Sequence, residues 1–196
     1  MPQVVPPSIS QAKFDQEVEA FRKLEASHRK MGRLLLRAEF PLVEVLFVTP
    51  NSPQRLALFA VSVDFTNFDV DPPSVRFFDL FTGRVLNFEE ITDGLLRLPP
   101  EADPSLITLA REGKAPWRAA NMIQGYPGQP AFLCMPGTRE YHANPGHTGD
   151  HWLLHRSRGE GRLFHLVTTI SRYGTEPITG MQFQIQVGVQ RSEVPA

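Results

Sequence analysis

A single cysteine, Cys134, stands among 196 residues. It excludes an intramolecular disulfide, and a reducing cytoplasm is the expected compartment. No sign of charge is in excess. Lys and Arg total 20 against 21 Asp and Glu, a formal net charge of -1. That balance leaves no electrostatic footprint for nucleic acid or an anionic membrane surface. No apolar run reaches the roughly 18 residues of a membrane span. The opening Met-Pro-Gln-Val-Val-Pro-Pro lacks the basic and apolar regions of a secretory signal, so none is expected. Also absent are a Walker loop, Gly-x-Gly-x-x-Gly, His-Glu-x-x-His, and the His-x-Glu with Pro-Cys-x-x-Cys of deaminases.

What is present suits one globular domain. An apolar fraction of 41% with 21% charged residues is not a disordered composition. The length is enough for a core without disulfide or metal staples. We expect a Pro-rich arm over residues 1–9, one domain over 10–190 and a tail over 191–196. Gln11 to about Leu36 has no Pro and one Gly. Phe14, Val18, Phe21, Leu24, His28, Met31 and Leu35 recur there at three- and four-residue steps, which predicts one long helix with a buried stripe. Leu42–Thr49, Arg55–Phe65 and Ser74–Leu80 read as strands of an antiparallel sheet, separated by turn signals. Asp103-Pro104-Ser105 opens a short helix to about Glu112. Arg162–Ile170 reads as an apolar, β-branched strand. Met181 to Val189 alternates apolar and polar, a one-sided strand. The fold class is α+β: a long N-terminal helix on an antiparallel sheet, with a metal-binding segment at 131–156.

Five of the six histidines fall between His142 and His165, just after the one cysteine. Zinc takes thiolate, imidazole and carboxylate, usually four ligands in a tetrahedron. Cys134, Glu140, His142 and His147 supply each type within one short stretch. Pro136-Gly137 and Asn144-Pro145-Gly146 are turn-formers that can fold the arms together. In an extended chain Glu140 and His142 face one side. One Zn2+ per chain is the expected cofactor. His151 is the alternative to Glu140 as fourth ligand, with His155 also a candidate. Asp150 is a natural acceptor for an imidazole N–H. His165 and His28 read as core. Catalytic readings of the same residues remain open: a zinc hydrolase with Glu140 as base, or a Cys–His nucleophilic pair.

The stretch Phe132-Leu133-Cys134-Met135-Pro136-Gly137-Thr138-Arg139-Glu140-Tyr141-His142-Ala143-Asn144-Pro145-Gly146-His147 resembles a bacterial family of predicted metal-binding proteins, named for its Cys, Glu, His, His ligand set. The resemblance places those ligands on Cys134, Glu140, His142 and His147. It implies a role beside bacterial ubiquitin-like conjugation systems, with a ubiquitin-like protein and conjugating or activating enzymes as partners. A second resemblance runs over about residues 10–80. A helix, two strands and then Phe68-Asp69-Val70-Asp71-Pro72-Pro73-Ser74-Val75-Arg76-Phe77 look like the start of a ubiquitin-conjugating enzyme fold. There the catalytic cysteine follows a His-Pro-Asn, whereas here His142-Ala143-Asn144-Pro145 comes after Cys134. The two resemblances together imply a zinc-binding accessory or adaptor on a non-catalytic conjugating-enzyme-like fold. The alternative is an enzyme, either a divergent conjugating enzyme using Cys134 or the zinc hydrolase.

Overall fold

The computed structural model describes residues 4–91, 95–99, 102–103, 105, 109, 114–117 and 120–180. Helix α1 spans Pro7–Lys23, with proline in its first turn, where the ring meets no missing hydrogen bond. Ahead of it, the Val4 and Val5 amides both donate to Asn67 Oδ1. Helix α2 follows at Glu25–Lys30 after a break at Leu24. The single helix expected to about Leu36 therefore ends early. Gly32 is the reason. It sits at φ 73°, and a Cβ there would lie 2.0 Å from Val48 O. Glycine alone takes that left-handed turn beside another backbone without strain. The Val48 amide donates to Gly32 O, and β1 (Arg33–Glu39) starts at once. Leu35 and Leu36 belong to this strand, not to the helix.

Strands β2 (Leu42–Val48), β3 (Ala57–Asp64) and β4 (Ser74–Phe78) complete an antiparallel meander in the order β1-β2-β3-β4. Alternation places Val43, Val45, Phe47, Val61, Val63, Val75 and Phe77 on one face, all essentially inaccessible. Each such side chain contributes about 1.5–3 kcal/mol on burial. Two short ribbons follow: β5 (Leu96–Arg97) with β6 (Ala120–Asn121), and β7 (Ile123–Gln124) with β8 (Phe132–Leu133).

The last described elements are helical. A short α3 covers Arg139–Ala143 and α4 covers Leu163–Gly174, with 3-10 turns at Pro145–His147, Trp152–Leu154 and Arg156–Arg158 between them. The strand expected over 162–170 is thus a helix. Leu163, Leu166, Val167, Ile170 and Ser171 are its buried residues, a three- and four-step pattern that outweighs the β-branched composition. Its start lacks a local cap. Glu17 of α1 does that work: Oε2 accepts from the Leu163 amide and Oε1 from Arg162 Nε. A carboxylate at a helix N-terminus meets both unpaired amides and the favourable end of the dipole. His165 is exposed rather than core. The helix read at 103–112 and the strand read at 181–189 fall largely or wholly outside the described residues. No helix among the described residues is long and apolar enough to cross a membrane.

His28 is core, as its place on the stripe predicts. It is 2% exposed, stacked on Phe21 at 3.9 Å, and neither ring nitrogen has a hydrogen-bond partner. Burial, helped by Arg33, holds its pKa below the ordinary 6.5. The folded ring is therefore neutral where the unfolded one takes a proton, so its contribution to stability is lost as pH falls below about 6.5. We expect His28→Leu to flatten the acid side of the thermal-midpoint profile between about pH 7 and pH 5. Parallel profiles for wild type and variant would discard this account.

Candidate thiol–imidazole site

The site segment begins where β8 ends. Cys134 donates its amide to Met122 O at 2.7 Å, which fixes its backbone against the residue between β6 and β7. The buried Thr138 hydroxyl bridges Leu133 O and Met135 O and closes the Pro136-Gly137 turn. Gly137 takes φ 91° with the Glu160 backbone behind it. Arg139 then anchors α3 to the end of β3 and the connection that leads into β4. Its guanidinium donates to Thr66 O and Pro72 O and pairs with Asp64, while its amide donates to Pro73 O.

Glu140, first in α3 to carry a carboxylate, turns towards β4. It accepts from Ser74 Oγ and from the Val75 amide at 3.2 Å, and it lies 3.2 Å from Arg76 Nη2. Its side chain is 8% exposed. The Pro72-Pro73-Ser74-Val75-Arg76 stretch and Glu140 are therefore one tie. In the sequence Ser74 and Arg76 stand out only within the Pro72-Pro73 resemblance and not as partners of Glu140, and only the charge of Arg76 hints at the pairing.

His142 faces another way. The Gly137 amide donates to Nε2 at 3.2 Å, and Nδ1 lies 2.8 Å from Asp150 O. An amide can only donate, so Nε2 is the acceptor and Nδ1 carries the hydrogen. Burial holds this imidazole below the ordinary histidine pKa. His142 is thus neutral, with both nitrogens engaged by backbone.

His147 does meet the cysteine. Its 3-10 turn is set by Asn144, whose Oδ1 accepts from the Gly146 amide. The ring stacks on Tyr141 at 3.9 Å, and Nε2 lies 3.3 Å from Cys134 Sγ. Burial pushes the Cys134 thiol up, away from the thiolate. Asp150, the acid nearest in sequence, does not orient His147. It accepts from Tyr141 Oη at 2.6 Å and contacts His155 Nε2 at 2.5 Å. Burial and Asp150 push the Tyr141 phenol up to about 12, while the Tyr141 and His155 hydrogen bonds hold the Asp150 carboxyl low. His155, 8% exposed, is raised in pKa by Asp150. Its Nδ1 lies 3.2 Å from Glu160 Oε2, at an angle too poor for a hydrogen bond. His151 caps the next turn through its Nδ1 to the Leu153 amide. Trp152 is buried and donates to Asp69 O.

Of the four expected ligands, the structure brings Cys134 and His147 together and directs Glu140 and His142 to other partners. Among the described residues no group of three or more His, Cys, Asp or Glu side chains is gathered as a metal site. The donor types suit zinc, but as arranged only two of them share a point.

The molecule is thus an α+β domain with an antiparallel meander, carrying a thiol–imidazole pair on a turn-rich segment between β8 and α4. The chain belongs to the Y4jH-like family, whose model matches residues 5–178. It is 37% identical over 199 residues to the uncharacterized protein y4jH of Sinorhizobium fredii (strain NBRC 101917 / NGR234), an alignment covering 98% of this chain and 95% of that protein.

Proposed function

We propose that the chain is an accessory or adaptor module of a bacterial ubiquitin-like conjugation pathway, built on a scaffold like that of conjugating enzymes and not itself passing on a thioester. Supporting the scaffold are the N-terminal helix, the four-stranded meander and the Pro72-Pro73 entry into β4. The observation that carries the non-catalytic reading is that Asp150 is engaged by Tyr141 and His155 and does not orient the imidazole beside the thiol. Reactive cysteines sit in electropositive surroundings that lower their pKa. Here burial raises it.

Zinc belongs to this proposal. Cys134 and His147 would supply its first two ligands. Glu140 and His142 would complete a set only by leaving Ser74, Val75 and Arg76 on one side and Gly137 and Asp150 on the other. His151 and His155 are the neighbouring alternatives. A bound Zn2+ would hold the segment together and keep the sulfur as an inert thiolate.

The 3.3 Å contact between His147 Nε2 and the sulfur favours one second reading, in which Cys134 is a nucleophile and His147 its base. The hydrolase reading has less support, because Glu140 is an ion-paired acceptor turned into the protein.

Elemental analysis and an adduct assay separate these. We expect about one zinc per chain, lost in Cys134→Ser and His147→Ala, and no reductant-labile adduct with a ubiquitin-like partner, activating enzyme and ATP. A zinc-free protein that forms a dithiothreitol-labile adduct through Cys134 would overturn the accessory reading in favour of the nucleophile.

A further inference from the structure

A cleft of about 650 Å3 opens beside Cys134, within the roughly 300–1,000 Å3 span of pockets that take small ligands. Its charge is one-sided. Arg97 of β5 and Arg172 near the end of α4 both line it, and both are exposed. Neither forms an ion pair with a carboxylate among the described residues. The Arg172 guanidinium instead lies over the Tyr173 ring, 5.7 Å from its centroid. His165 of α4 lines the cleft as well. Among the described residues that line it, one is a carboxylate, Glu160, and it stands beside His155. Asn121 and Gln124 offer amide groups, and Met122 and Met135 an apolar floor.

We propose that this cleft binds an organic carboxylate, clasped by Arg97 and Arg172, with the rest of the ligand running over Met122 towards Cys134. The planar guanidinium matches a carboxylate with two parallel hydrogen bonds, which a neutral ligand could not use. A peptide C-terminus and a small organic acid present the same group. The site needs an open cleft and does not depend on whether the thiol is inert, so it stands apart from the accessory reading.

Cys134 is the only cysteine, so alkylation reports on this place alone. The test compares alkylation rates with iodoacetate and iodoacetamide on the full chain. 1,10-Phenanthroline, an uncharged chelator, keeps the thiol free of zinc. The ratio of the two rates is divided by the same ratio for N-acetylcysteine. Two exposed guanidiniums should raise this normalised ratio about fivefold above one. In Arg97→Gln, Arg172→Gln and the double variant it should fall stepwise towards one, while the iodoacetamide rate stays at the wild-type value. That neutral rate also shows that the fold around the thiol is intact. A wild-type ratio at or below one, or a ratio that the double variant leaves unchanged, overturns the proposal.

Competitors then tell the sources apart. Protection of Cys134 by a short peptide with a free C-terminus, and not by its C-terminal amide, assigns a peptide end. Equal protection by succinate assigns a small acid. Equal protection by acid and amide peptides, or by none of the three, overturns the site. A thioester adduct at Cys134 would remove the accessory reading and leave this site standing.

Discussion

Glu140→Ala should lower the unfolding free energy by about 3 kcal/mol, as expected when one partner of a largely buried ion pair is removed. Two donors, Ser74 Oγ and the Val75 amide, lose their acceptor, and Arg76 loses its ion-pair partner while still donating to Ala131 O. The Val75 amide sits in a fully buried strand residue, and an orphaned buried donor carries its own desolvation cost of about 1–3 kcal/mol. Arg76, with 33% of its side chain exposed, recovers part of its hydration and holds the total near the lower end. Glu140→Gln keeps an acceptor oxygen for the amide and should lose about 1 kcal/mol. Denaturant midpoints at constant m-value read the difference. If alanine costs less than about 0.5 kcal/mol, the tie between α3 and β4 is not what holds this carboxylate. The same variant bears on zinc. As a structural tie, Glu140 can be replaced by Gln with zinc content unchanged; as a ligand, it cannot.

The other large effect is expected at Gly137. A Cβ there would lie 2.4 Å from the carbonyl carbon and oxygen of Glu160 and 2.8 Å from the Gly161 nitrogen. Those are backbone atoms and cannot rotate away. The left-handed conformation alone costs a side-chain-bearing residue about 1–2 kcal/mol. Adding the clash, Gly137→Ala should lose about 3–4 kcal/mol. It should also disturb His142, because the Gly137 amide is the donor that sets its tautomer. In a histidine NMR titration the His142 signal should move back towards the ordinary value in the variant, and the variant's thermal midpoint should fall. A variant as stable as wild type would mean that the 160–161 backbone yields easily, contrary to the packing of Gly161 on Trp152 and Pro73.

Strands β2, β3 and β4 of the meander are legible because their signals are local, whereas β1 falls partly in the stretch read as helix. Alternation, β-branching and Pro or Asn turns all lie within each strand's own residues. Sequence pattern and structure diverge where a single glycine or a distant partner decides. Gly32 was visible as the only glycine in the helical stretch, yet nothing local announces that Val48 closes over it. Residues 163–174 fold as a helix whose start is completed by Glu17, 146 residues away along the chain. Composition alone favours a strand there; the three- and four-step burial resolves it. At the site, the sequence shows that cysteine, carboxylate and imidazoles are close along the chain. It cannot show where each side chain points. α3 sends Glu140 to β4 and leaves His142 to Gly137 and Asp150, because a short helix separates neighbours that an extended chain would align.

The Glu17 contact also bears on how the protein is made. The first helix meets His28, Phe40 and Phe65 soon after it is made, but the α4 residues that complete this side of the core and receive the carboxylate follow 146 residues behind Glu17. Synthesis at about 5–20 residues per second leaves the α4-facing part of that helix waiting for many seconds. The interval is a natural window for chaperone capture, and it closes when Leu163 reaches Glu17.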